Sequence, residues 1–141
     1  MRRATLTGLL AFGAHIARGD LPVVANEGCH ERAGKHTCDK RLSRTDLAAA
    51  FPKVDYSLLE DEEDPMWGDG VTREPWEAVA ARASKFAEWL LNRSEKCIAV
   101  AAHSAFLLTI FNAVFDVEDD AVRTWFGTGE MRCVVLTPAQ K

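Results

Sequence analysis

The stretch Cys97–Ala102, Cys-Ile-Ala-Val-Ala-Ala, limits what this chain can fold into more than any other segment. Six consecutive small or apolar residues without polar alternation read as a strand covered on both faces, the environment of a parallel sheet. His103-Ser104 follows at once, and then the apolar run Ala105–Phe115, whose length suits a helix. Other segments alternate in the same way. Residues 4–14 place Leu6, Leu9, Leu10 and Ala14 at near-helical spacing, so one face of a helix is expected to be buried there. Leu21–Ala25 reads as a short buried strand. Ser43 caps a predicted helix over Arg44–Ala50 that stops before Pro52. Arg73–Arg93 carries the stripe Trp76, Val79, Ala80, Ala83, Phe86, Ala87, Leu90 and Leu91, with Thr72 as its cap. Asp116–Trp125 holds another short helix, and Met131–Leu136 a last strand. The expected fold class is α/β, with a mainly parallel sheet flanked by helices.

Composition narrows the function. With 141 residues, 48% of them hydrophobic and 27% charged, the chain can bury a core and is not a disordered sequence. A net charge of −4 offers no electrostatic footprint for nucleic acid, so no nucleic-acid partner is expected. No apolar run approaches the roughly 18 residues of a membrane span, so no membrane partner is expected either. Cys29, Cys38, Cys97 and Cys133 are too sparse for a disulfide framework, and reduced thiols fit a cytoplasmic location. The acid-free stretch Met1–Gly19 offers a mitochondrial presequence as the alternative, although its leucine spacing favours a helix of the domain. Cys29, His30, His36 and Cys38 are zinc-type ligands, but no paired C-x2-C knuckle accompanies them and no metal is expected. The acidic run Glu60–Asp64 reads as a solvated surface loop.

The chemistry is expected where the apolar strand meets the following helix. In open α/β sheets ligands bind beyond the carboxyl ends of the strands, and a helix N-terminus there presents free N–H groups to an anion. His103 stands at that junction, and Ser104 can cap the helix while facing the ligand. Arg3 could fork a phosphate, although by itself it reads as solvated terminal charge. Glu31 alone reads as a surface carboxylate paired with Arg32 or Lys35.

In order along the chain, several segments resemble the histidine phosphatase superfamily, the phosphoglycerate mutase-like fold. Met1-Arg2-Arg3-Ala4-Thr5-Leu6-Thr7 is similar to its second arginine motif, S-P-x-x-R-[AT]-x-Q-T, with Leu6 where Gln is usual. His30-Glu31-Arg32-Ala33-Gly34 resembles the segment that carries the proton donor, and Ala102-His103-Ser104 the late histidine motif. Cys38-Asp39-Lys40-Arg41 through Phe51-Pro52, Asp55 and Met66-Trp67 are similar to a subgroup of mutase-like proteins. The resemblance implies a three-layer sandwich in which Arg3, His103 and Ser104 bind phosphate, His103 stabilises the phosphoryl group and Glu31 is the proton donor. It implies no cofactor and no metal, and a small-molecule or protein phosphomonoester as ligand.

The family's nucleophile is the His of an Arg-His-Gly motif on the first strand. Here the four histidines are followed by Ile16, Glu31, Thr37 and Ser104. The expectation is a single incomplete domain over residues 1–141, missing its first central strand and impaired as a phosphomonoester hydrolase. The alternative is a non-catalytic pseudophosphatase that binds phosphorylated ligands or a protein partner. An open sheet edge would also invite self-association.

Overall fold

Val79, Ala83, Phe86 and Ala87 recur at spacings of 3 and 4, and in a computed structural model of the chain, which describes residues 1–138, they form the buried side of a long helix. Five α-helices run along the described residues: α1 (Arg2–Ala11), α2 (Gly13–Arg18), α3 (Arg44–Ala50), α4 (Trp76–Leu91) and α5 (Ser104–Ala113). Short 3-10 turns lie at Glu27–Cys29, Thr37–Asp39 and Asp120–Arg123. The larger core is the seam between α4 and α5, where Val79, Ala83, Phe86 and Ala87 meet Phe106, Ile110 and Phe111. Phe86 and Phe106 pack edge to face at 5.6 Å, a favoured aromatic geometry. A second cluster joins Leu47 of α3 to Val54, Tyr56 and Leu59, with Leu9, Val23, Ala25 and Phe51 against it.

The ends of these helices follow local chemistry. The Ser43 hydroxyl accepts from the Asp46 N–H at 3.0 Å, the expected cap of α3. α4 starts later than expected, at Trp76, because Pro75 serves as its cap residue. Thr72 is instead held by the Asp69 carboxylate, which accepts its N–H and its hydroxyl, both at 2.7 Å. The first predicted helix breaks at Phe12 into α1 and α2, and its leucine face is only partly covered: Leu9 packs on the second cluster, but Leu6 is 49% and Leu10 75% exposed.

The predicted sheet is overturned. The described residues contain no strand and no layered sandwich; their one β-pairing is an isolated parallel bridge between Val24 and Asp55. Ala25 N–H donates to Asp55 O and Asp55 N–H to Val23 O, each at 2.8 Å. The Cys97–Ala102 run forms no strand, with Ile98 and Val100 exposed, and the Met131–Leu136 run is likewise exposed and without a strand. Apolarity specifies that water be excluded, whereas a strand exists only where a neighbouring segment takes its N–H and C=O groups. The architecture is therefore helical, with long irregular connections. Among the described residues no helix is long and apolar enough to cross a membrane.

Candidate functional site

His103 is the cap residue of α5, buried to 8% exposure, and its carbonyl accepts the Leu107 N–H at 2.8 Å. Burial above all, then the charges of the Met1 α-amine, His30 and Arg3, push its imidazole down to about 3, against an opposing pull from Asp39. The ring is therefore neutral at physiological pH. The first N–H groups of α5 are not free. Glu31, buried and 74 residues away in sequence from Ala105, accepts from Ala105 N–H at 3.5 Å and from Phe106 N–H at 3.2 Å. A carboxylate on the positive end of a helix is favourably placed. The sequence reading left these N–H groups free for a phosphate; the anion found on them is the Glu31 carboxylate. Ser104 is the exposed first residue of α5, not its cap; the expected Ser104 cap is replaced by Glu31 because the carboxylate reaches the N–H groups from a separate loop.

What holds Glu31 there is Arg82 of α4, a residue the sequence did not single out. Its Nη1 donates to Gly28 O at 3.0 Å and His30 O at 2.6 Å, and its Nη2 to Glu31 O at 3.2 Å. The same guanidinium grips the Glu74 carboxylate at 2.9 and 3.1 Å. Glu74 in turn accepts the Ala33 N–H at 3.1 Å and returns its own N–H to Ala33 O at 3.0 Å. Glycine is required next to this contact. Gly34 has φ +102°, and a Cβ there would lie 2.0 Å from Thr72 O. Arg82 interrupts the apolar side of α4 directly before Ala83, and that lone charge at the border of the stripe was the available sign.

Arg3 projects from the first turn of α1 with its guanidinium 59% exposed. Its Nη2 lies 3.2 Å from Asp39 Oδ1, and Arg73 Nη1 lies 3.1 Å from Asp39 Oδ2. One buried carboxylate thus orients two guanidinium groups. The Met1 α-amine sits within electrostatic reach of Arg3, Asp39, Asp64 and Glu31, and burial chiefly holds it below its ordinary value. Arg3, His103 and Glu31 accordingly belong to one charged neighbourhood, with Arg73, Asp39 and Arg82 as members that motif reading passed over.

The acidic run Glu60–Asp64 lies at the surface over residues 60–63, as expected, but not at Asp64. Its carbonyls at Asp61, Glu62 and Glu63 turn inward and accept from the buried Arg41 guanidinium. Asp64 is buried; burial works to raise its carboxyl, but the adjacent His30 ring, 3.3 Å away, and hydrogen bonds from the Arg41 and Met66 N–H groups outweigh it and bring the group down to about 2.

A buried histidine thus opens a helix whose first amides carry a carboxylate, and the comparisons with known proteins bear on the family in which this arrangement occurs. The family model of the histidine phosphatase superfamily (branch 1) matches residues 2–140, and the chain belongs to that superfamily. It is 48% identical over 93 residues to phosphoglycerate mutase-like protein 1 of Arabidopsis thaliana, covering 66% of this chain and 33% of that protein. A phosphoglycerate mutase-like protein of the same plant is 44% identical over 86 residues, covering 61% and 31%. Phosphoglycerate mutase-like protein 2 is 37% identical over 100 residues, covering 71% and 29%. The chain thus spans about a third of the length of the curated relatives it matches. No solved structure matches it.

Proposed function

We propose that this chain is a phosphomonoester-binding histidine phosphatase domain in which His103, Arg3 and Ser104 hold the phosphoryl group and Glu31 is the proton donor. The observation that carries the reading is the seating of Glu31 on the Ala105 and Phe106 N–H groups, directly beyond His103. A phosphate dianion arriving at that helix end is attracted by the positive end of α5 and by Arg3, and repelled by the Glu31 carboxylate that occupies its first amides. Uptake of a proton by Glu31 relieves the repulsion and yields the form that can protonate a leaving oxygen. The neutral His103 ring adds one N–H donor, and the dianion favours its protonation.

A complete superfamily site attacks phosphorus with an imidazole to form a phosphohistidine, splitting one difficult displacement into two easier ones. No His-Gly pair occurs in this sequence, so the reading for the chain as it stands is binding without appreciable turnover. Calorimetry with inorganic phosphate, run beside hydrolysis of a generic aryl phosphate, tests it. The expected result is binding that His103→Ala weakens at least about tenfold, the equivalent of about 1.4 kcal/mol, with hydrolysis near background. Absence of phosphate binding would remove the pocket; turnover abolished by His103→Ala would overturn the non-catalytic part.

The exposed apolar runs support a second element of the same proposal, contact between copies. Met131 is 75% and Val135 89% exposed, beside Ile98 and Val100 on the other run. Unpaired backbone next to exposed apolar side chains is a template for association. Sedimentation is expected to show concentration-dependent association that the double substitution Val100→Lys, Val135→Lys reduces. A monomer at every concentration tested would contradict it.

A further inference from the structure

We infer that Glu27, His30 and Asp64 form a binding site for a divalent cation of the zinc class, separate from the phosphate chemistry proposed above. His30 is 2% exposed, and its Nδ1 lies 2.7 Å from Glu31 O. A carbonyl only accepts, so Nδ1 carries a hydrogen, and Nε2 is the ring atom left open to a ligand. That Nε2 is buried without a hydrogen-bond partner, yet Asp64 Oδ2 stands 3.3 Å from it, near enough for an ion pair but out of line for a hydrogen bond. A buried ring nitrogen without a hydrogen bond, set beside a buried carboxylate oxygen, is satisfied when a cation lies between them. The separation suits one: ligands bound at about 2.0–2.1 Å around tetrahedral zinc stand about 3.3–3.4 Å apart.

Glu27 completes the set. Its carboxylate oxygen and the His30 and Asp64 donor atoms all lie within 4.8 Å of one another. Its side chain, 20% exposed, can close the remaining distance and leave a fourth position to water. The supporting contacts are those of a metal site. His30 Nδ1 is fixed by a carbonyl, Asp64 accepts the Arg41 and Met66 N–H groups at 2.7 and 2.9 Å, and Glu27 accepts Arg41 Nε at 3.1 Å. Two carboxylates and the Arg41 guanidinium leave a net negative site. The nearby Cys29 thiol is outside the group of converging donor atoms, and its Sγ donates to Asn26 O at 3.1 Å. The zinc-type group visible in the sequence, Cys29, His30, His36 and Cys38, therefore contributes only His30.

Titration of the metal-stripped full chain with Co(II), followed by displacement with Zn(II), tests the assignment. One equivalent of Co(II) is expected to give d–d absorption without a thiolate-to-cobalt charge-transfer band. Cys29→Ser combined with Cys38→Ser should leave affinity unchanged, and His30→Gln should weaken it at least about tenfold. Should His30→Gln fail to fold, the 15N resonance of His30 Nε2 in the unmodified protein is the readout, expected to shift on addition of Zn(II). No binding, a thiolate band, or a His30 Nε2 resonance indifferent to Zn(II) would each overturn the site; the last would leave a proton as what sits between His30 and Asp64.

Discussion

Arg41→Met is expected to cost at least about 4 kcal/mol, a large share of the 5–15 kcal/mol that typically holds a domain together. The guanidinium is fully buried, and each of its five N–H groups has an acceptor. Nη1 donates to Leu42 O at 2.9 Å and Glu62 O at 3.0 Å, Nη2 to Asp61 O at 3.1 Å and to Glu63 O, and Nε to the Glu27 carboxylate. Methionine fills similar space but donates nothing. Four carbonyls and a carboxylate would then lose their partner, at about 1–3 kcal/mol for each that stays buried. Buried ion pairs elsewhere can be exchanged for apolar residues at little cost when both partners change. Backbone carbonyls offer no such exchange. Arg41→Lys should also destabilise strongly, since three ammonium donors cannot cover five diverging acceptors. Urea denaturation followed by circular dichroism measures both, and a loss under about 1 kcal/mol for Arg41→Met would show that the 61–63 segment does not depend on this residue.

Acidification is the second large effect. The His103 imidazole is lowered from 6.5 to about 3 in the folded chain. Between those values the unfolded chain takes up a proton that the folded one refuses, so stability is full above pH 6.5 and is lost as pH falls toward about 3. The shift corresponds to on the order of 3–5 kcal/mol. The groups facing the ring are the Met1 α-amine, His30 and Arg3, which oppose its protonation, and Asp39, which favours it. His103→Gln removes the titrating group, so its urea midpoint should fall much less between pH 7 and pH 4 than that of the unmodified chain. Identical pH dependence in the two proteins would place the acid sensitivity elsewhere.

Some of this molecule was legible before any coordinates. α3, with its Ser43 cap, is a local event, because serine, polar helix start and proline stop are neighbours in the chain. The buried side of α4 follows from the spacing of Val79, Ala83 and Phe86. The junction at His103-Ser104 was legible as well, since a helix start needs only its own residues to be recognised. Leu6 and Leu10 went the other way: helical spacing was correct for α1, but only Leu9 of that face packs on a core cluster, and Leu6 and Leu10 stay exposed.

By itself the sequence determined membership of the histidine phosphatase superfamily and the sites of the main helices, because short ordered motifs and a 3.6-residue period are written locally. Tertiary structure alone decided three things: that Cys97–Ala102 has no ladder partner, that an acidic run wraps Arg41, and that Glu31 settles on the amides of α5. Each depends on whether a hydrogen bond forms between segments separated in the chain. A donor's identity shows that a partner is required, and only the folded path of the backbone selects which acceptor meets it.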